Sequence, residues 1–447
     1  MAKFILRRLL YGFLVLFGVI TIIFLLFNLK PGDPARMMGG QHATPEAIEA
    51  IRKDLGLDLP LHQQYMQYLN DISIISVHNV TDNKDRSYLY GPNYMSRNDN
   101  NEMEPAFLEL FKVGSSSMLV LKKPYLRRSY QKKKKVTEII TESLPGTLIL
   151  ALTAMIFATI IGVILGIFSA LKKDGFFDKA FFLMAVLGMS GPSFFMALII
   201  SWIFATLWYD TIFIPILPII ALGLGLVYGL ILKKSKMKIH NKGNLELFGE
   251  YGLKGFAIGL SAWLLGIVIN GLATSDVIPL IHNYLTLPGT NLNNAGSLIV
   301  TSDYGEEYLE LKNLILPALT LGIRPLAIIL QLTRNSMLDV LSQDYIRTAR
   351  AKGLSKFKVI YKHALKNALN PVVTAVSGWF ASLLAGAIFI EYVFNWKGLG
   401  LEVFNALEKD DFPVVMGAVL VIATAFVLIN IVVDIIYGIL DPRVRVK

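Results

Sequence analysis

The sequence predicts an all-α polytopic membrane protein of about eight transmembrane helices, and three observations carry that expectation. Of its 447 residues, 54% are hydrophobic and only 17% are charged, where a soluble domain has about 25% charged residues. Eight runs reach the ~20 apolar residues that a bilayer-spanning helix needs. Lys and Arg collect in alternate short loops, which is the bias that orients multi-pass proteins.

The eight runs are Leu9–Leu29, Thr147–Leu171, Ala180–Leu207, Thr211–Leu232, Leu253–Leu272, Leu314–Leu332, Val372–Ile390 and Val414–Leu440. The first follows Lys3, Arg7 and Arg8 as a signal peptide would, but its core is too long and no small-x-small cleavage site follows, so it reads as a retained signal anchor. Pro215 and Pro218 interrupt the fourth run, and glycines thin the fifth. With the N-terminus inside, Lys172, Lys173, Lys179, Lys233, Lys234, Lys236, Lys238, Lys242, the loop after Leu332 and the tail "DPRVRVK" all fall in the cytoplasm. The short outside loops hold few cations beside Asp303, Glu306, Glu307, Asp410 and Asp411. One segment goes against this order: "KKPYLRRSYQKKKK", Lys122–Lys135, lies on the outside. It belongs to a loop of more than 60 residues, a length at which the charge bias loses force.

That long loop reads as an external subdomain. Thr44 and Pro45 supply an N-cap and a first helical turn, and the polar run from Asn79 to Pro105 reads as irregular. The expected organisation is a signal-anchor helix over 1–29, the external subdomain over 30–146 and two spans over 147–210. An inserted hairpin with an external loop over 211–313 and a C-terminal core over 314–447, with a cytoplasmic loop at 333–371, complete it.

Several chemistries are missing from the sequence. There is no cysteine, no G-x-x-x-x-G-K-[ST] phosphate loop and no H-E-x-x-H, and the six histidines show no ligand spacing. Energy for any transport must therefore come from a partner or a gradient. The chemistry-bearing residues within the spans are few. Arg324, beside Pro325, lies mid-span, where a cation must face protein or water. It either meets a substrate carboxylate or gating partner, or it holds carbonyls freed by Pro325. Asp434 calls for a basic partner, with proton carriage as the alternative. The G-x-x-x-G pairs Gly162/Gly166, Gly225/Gly229 and Gly255/Gly259 permit close helix contact.

The most informative stretch is "DYIRTARAKGLSKFKVIYKHALKNALNP", Asp344–Pro371. Two helix-favouring segments flank Gly353, which suits a positive-φ helix end, and Ser355 can cap the second segment. The reading is a helix–turn–helix with Ala349, Ala351 and Leu354 as a small close-fitting patch near the turn. A small patch beside a glycine suits docking into a partner's groove, where an ordinary solvated basic loop is the plainer alternative.

This stretch resembles the conserved cytoplasmic loop of permease subunits in binding-protein-dependent ABC importers, in particular the B-type subunit of the dipeptide/oligopeptide/nickel group. Arg347, Thr348 and Ala349 stand where the general pattern has Glu-Ala-Ala, and Gly353 stands at its glycine. The stretches "NLKPGDPA", "ESLPGTLILALTAMIFATIIGVILGIFSALKKDGFFDKAFF", "LPALTLGIRPLAIILQLTRNSMLDVL" and "EYVFNWKGLGLEVF" are similar to further blocks of that group.

The resemblance implies a six-helix permease core, to which 211–272 adds a hairpin. It implies a peptide or related solute as cargo, a second permease forming a heterodimer, two cytosolic ATPases holding ATP-Mg, an external substrate-binding protein and a lipid surround. No cofactor on this chain, no enzymatic activity and no nucleic acid are expected. The place implied is the bacterial inner membrane, with both termini cytoplasmic. Arg347, Thr348, Ala349, Ala351, Gly353 and Leu354 would couple to the ATPases, and Arg324, Pro325 and Asp434 are the candidates for pathway or gate. The competing reading is a gradient-driven carrier using Arg324 and Asp434. A membrane-anchored scaffold presenting the long loop is the third.

Overall fold

An apolar segment in a bilayer must satisfy its backbone N–H and C=O groups within itself, so it folds as a helix. A computed structural model describes residues 2–29, 33–39, 43–82, 87–90, 94–97, 103–234, 244–272, 284–302 and 304–440. The expected cytoplasmic Lys236, Lys238 and Lys242, the acid Asp303 and the tail "DPRVRVK" lie outside the described residues.

Helix α1 is Ala2–Leu29. Three short helices follow: α2 (Pro34–Gly39), α3 (Pro45–Leu55) and α4 (Leu61–Ile72). Thr44 caps α3 by accepting the Ala47 N–H at 3.2 Å, and Gly56 closes it at φ +74°. Strands β1 (Ile75–Asn79), β2 (Met95–Arg97), β3 (Met103–Pro105), β4 (Phe107–Val113) and β5 (Ser117–Lys122) come next. An antiparallel sheet has the order β1-β5-β4, and β2 pairs with β3. The run expected to be irregular thus holds strand pairing, which polar composition does not forbid where a hairpin partner is near.

The chain continues through α5 (Val136–Leu171), α6 (Phe176–Ser190) and α7 (Ser193–Trp202), which a π-helical turn extends to Leu207. After β6 (Ile212–Pro215) come α8 (Ile216–Lys234) and α9 (Asn244–Leu272), and β7 (Tyr284–Leu287) returns to pair with β6. A third strand pair, β8 (Ile299–Thr301) and β9 (Glu307–Leu309), leads into α10 (Lys312–Leu341) and α11 (Asp344–Ala351). Next, α12 (Lys356–Lys358), a π-helical turn Val359–Ala364 and α13 (Leu365–Ala368) follow in unbroken succession. The chain ends in α14 (Asn370–Gly386), α15 (Ile388–Val393), α16 (Leu399–Glu408) and α17 (Phe412–Leu440).

Among the described residues, five helices are long and apolar enough to cross a membrane: Leu6–Asn28, Val136–Leu171, Gly249–Asn270, Lys312–Leu341 and Phe412–Ile435. The third predicted span is a bent pair, and the seventh, Val372–Ile390, begins just after a second bend. Phe176–Ser190 meets Ser193–Leu207 at 116° across Gly191–Pro192, and Lys356–Ala368 meets Asn370–Gly386 at 50°. The fourth predicted span is shorter than expected: its first residues pair as β6, and the apolar helix behind them is Ile216–Gly229. Pro215 and Pro218 supply no N–H donor for a preceding helical turn, which is why the helix starts late.

The chain divides into two compact units. One comprises Met1–Ile149, Leu384–Tyr392 and Lys397–Lys447, and the other comprises Leu150–Leu383 and Val393–Trp396. In the first, Val136, Ile139 and Ile140 of α5 pack with Leu399 and Val403 of α16 and Val414, Val415 and Ala418 of α17. Its sheet buries Phe107, Met118 and Val120 against Leu89 and Tyr94. Beneath that sheet Asp71 is buried, accepts the Tyr94 O–H at 3.0 Å and lies 3.6 Å from the Arg127 guanidinium. Lys122 is buried beside it and donates to the Asp71 carbonyl at 2.5 Å; burial pulls its ammonium down to about 8.

The basic segment finds its partners within the same unit. Ser129 Oγ and the N–H groups of Tyr130 and Gln131 donate to the buried Asp411 carboxylate, the two amides at 2.9 and 3.3 Å. Lys132 pairs with Glu402 at 2.6 Å, and Lys134 lies 3.8 Å from Glu142. Lysines used in this way are local clasps between the segment and its neighbours.

In the second unit glycines set the helix contacts. A side chain at Gly162 or Gly166 would strike Ile329 or Thr333 of α10. Gly225 and Gly255 bring α8 and α9 so close that a side chain at either would strike the other helix's backbone, at the Tyr251 or the Ala221 carbonyl. Substituting valine at Gly225 or Gly255 should therefore overpack the α8–α9 contact by about 1–3 kcal/mol. The check is the thermal midpoint of the purified protein in nanodiscs, and an unchanged midpoint would mean that the two helices do not meet there.

Candidate functional site

The predicted helix–turn–helix is built by a Schellman ending. The Leu354 N–H reaches back to the Ala349 carbonyl at 3.4 Å and the Gly353 N–H to the Arg350 carbonyl at 3.0 Å, with Gly353 at φ +74°. Ser355 then caps the next helix by accepting the Lys358 N–H at 3.4 Å. The expected small patch is divided by this geometry. Ala349 is buried and Leu354 half-buried in a cluster with Ala170, Met337, Ile346, Val359, Ala364 and Ala368, so these two anchor the hairpin. Arg347, Thr348, Ala351 and Gly353 remain on the outside. This division has a plain cause: a helix of eight residues must bury one face, and Ile346 and Ala349, three apart, are that face.

Two residues that sequence reasoning missed complete the outer surface. Phe357 is 74% and Tyr361 65% exposed, and their rings lie stacked with centroids 5.8 Å apart. Their i, i+4 spacing is legible in the sequence, but only the fold tells that they face outward.

The hairpin is held by an ion pair that the sequence did not reveal. Arg334 near the end of α10 grips Asp178 of α6 with both Nε and Nη2, at 2.6 and 2.7 Å. Asp178 is buried and also accepts the Ser169 hydroxyl and the Asp174 N–H. Two-point gripping fixes angle as well as distance, so the end of α10, from which α11 departs, is fixed on the α5–α6 turn. An aspartate two residues beyond "KKDGF" looks like one more loop charge until the partner is seen. Replacing it by Asn would leave the half-buried Arg334 guanidinium without its carboxylate, at a cost of about 1–3 kcal/mol. A thermal midpoint lowered in D178N, and lowered no further in the double variant with R334Q, would check this.

The structure separates the pathway candidates. Arg324 projects from the middle of α10, exposed, and donates only weakly, at 3.5 Å, to the Met189 carbonyl at the end of α6. That end is where the Gly191–Pro192 break stops α6, so its last carbonyls have no further helical turn to bond. No carboxylate pairs with Arg324 among the described residues. Pro325 is buried within α10. Asp434 lies 3.0 Å from Arg8 Nε, an ion pair between α17 and α1.

Residues 298–446, which run from the β8–β9 pair through the hairpin to the end of α17, match the family described as binding-protein-dependent transport system inner membrane component. Residues 1–98 match the N-terminal part of binding-protein-dependent transport system membrane components. A dipeptide transport system permease protein of Alkalihalophilus pseudofirmus is 32% identical, with both chains covered in full. The chain belongs to the family of binding-protein-dependent transport system inner-membrane components. A di/tripeptide transport system permease of Pseudomonas aeruginosa is 31% identical over all of this chain and 99% of its own. A glutathione transport system permease of Salmonella choleraesuis is 28% identical over the full length of both.

Family membership makes the protein a multi-pass permease subunit of an ATP-driven importer and not an enzyme. Its ATP hydrolysis and its substrate capture rest with other components of the importer. The gradient-driven carrier is thereby set aside.

Proposed function

We infer that this permease carries peptides, as a heterodimer with a second, related permease. Two cytosolic ATPases drive it, and an external binding protein feeds it. The peptide cargo follows the named cargoes of its full-length relatives, which are dipeptides, di/tripeptides and glutathione. The observation that carries the coupling role is the glycine-closed hairpin, anchored inward by Ile346, Ala349 and Leu354 and presenting Arg347, Thr348, Ala351, Gly353, Phe357 and Tyr361 outward. The stacked, exposed rings supply an aromatic anchor of the kind that protein interfaces bury, and the small residues let a groove close around them. Both termini and this hairpin lie in the cytoplasm, and the 30–146 subdomain lies outside. The inserted α8–α9 hairpin packs at the periphery of the permease pair.

In this reading, Arg324 faces the water-lined pathway shared with the second permease. A mid-span cation without a carboxylate is costly in lipid and far less so beside water. Asp434, already paired with Arg8, serves to hold α1 on α17.

Co-purification tests the coupling surface. Wild type should bring down both ATPases and the second permease, whereas Gly353→Trp, or Phe357→Ala with Tyr361→Ala, should lose the ATPases and keep the permease. Retention of the ATPases by both variants would reject the assignment. For Arg324, the R324Q importer should assemble normally and take up peptide at least about tenfold more slowly, the scale of one lost charge-assisted hydrogen bond. Unchanged uptake would place Arg324 outside the pathway.

A further inference from the structure

Glu391 is fully buried in the first unit, in α15, beyond the end of the seventh span. No cation pairs with it among the described residues. Its oxygens are occupied in another way. Oε1 accepts the Thr147 hydroxyl at 2.6 Å, and Oε2 accepts the Leu401 N–H at 2.9 Å with the Gly400 N–H beside it. Thr147 in turn accepts the Leu399 N–H at 2.7 Å. The first three amides of α16, which no residue within that helix can satisfy, are thus met from α5 and α15. Side chains at Gly398 or Gly400 would collide with this carboxylate, so both glycines are demanded by its closeness.

A buried carboxylate without a counter-ion is an expensive way to cap a helix, since a neutral side chain could accept the same bonds. We propose that Glu391 is a positioning residue for transport: with Thr147 it latches the first turn of α16 onto α5 and so sets the shape of the external mouth. The external placement rests on the orientation given under Proposed function.

A small cavity opens beside the latch at Gly398, lined by Lys132, Lys134, Glu142, Lys397 and Glu402. These are the charged groups around the site, and Lys132 is already held by Glu402 and Lys134 by Glu142. Burial raises the Glu391 carboxyl to about 7, against the lowering pull of Thr147 and the two amides. The closed latch holds its proton more tightly than an opened one, whose carboxyl returns to the ordinary range. Closure is therefore favoured below that range, and the advantage is lost as pH rises to about 7.

The chain has no cysteine, so a single Val403→Cys, on the buried face of α16, reports opening through maleimide labelling of the full-length protein in nanodiscs. Rates are taken relative to an exposed Leu407→Cys at the same pH. At pH 7.5, where the closed-latch carboxyl is mostly ionised, Thr147→Val should speed labelling about tenfold, the loss of one hydrogen bond to a charged group, and Thr147→Ser should restore it. In the wild-type background, labelling should rise about tenfold or more from pH 5.5 to 7.5, and Glu391→Gln should abolish the rise. Uptake by the complete reconstituted importer should show the same loss of pH dependence in E391Q. Labelling that ignores both Thr147→Val and pH would overturn the latch. Failure of peptide uptake with labelling as expected would instead count against the peptide reading.

Discussion

Carboxylates taken out of water join the separate pieces of this chain. Asp71, Asp178, Glu391 and Asp411 are each at most 5% exposed. Each sits where segments distant in sequence must meet, because an ion in a dry interior persists only where donors converge on it. Asp71 gathers α4, the sheet and the basic segment; Asp411 receives the backbone of that segment at the corner between α16 and α17. Asp178 ties α6 to α10 through Arg334, and Glu391 ties α16 to α5. Remove the donors and each of these sites would carry an uncompensated charge, so the joints are specific in a way that apolar contact alone is not.

Between those joints, closeness is supplied by the absence of side chains. Gly162 and Gly166 let α5 approach α10, and Gly225 and Gly255 let α8 and α9 meet backbone to backbone. Lipid tails compete with leucine for apolar surface, so helices in a membrane gain most from dense contact, and glycine permits it. Glycine does different work at Gly353, where a positive φ closes α11 and turns the chain without a long loop.

These two devices bear on how a permease can transmit force. The hairpin rests on a packed cluster that includes Met337 of α10, and α10 is gripped at Arg334. A push on the hairpin therefore reaches α10 through rigid contacts and not through a flexible linker. The break at Gly191–Pro192, near the carbonyl that Arg324 reaches, leaves backbone polar groups in a span. Such groups are tolerated where protein or water can satisfy them.

By itself the sequence determined the class, most of the helical spans, the Thr44 and Ser355 caps and the Gly353 turn. These rest on hydrophobic length and on local backbone preference, which act over a few residues and need no partner. It also showed Arg324 and Asp434 to be out of place in lipid, because a charge at depth is costly unless protein or water meets it. What it could not determine was pairing. Asp178 with Arg334, Glu391 with Thr147 and Asp411 with Ser129 are separated by 156, 244 and 282 positions, and no local pattern marks one acid among many as the buried one. The outward stack of Phe357 on Tyr361 and the inward turn of Ala349 were likewise decided by which face of a short helix the rest of the fold covered. Tertiary structure made those choices because burial belongs to the whole fold and not to any single residue.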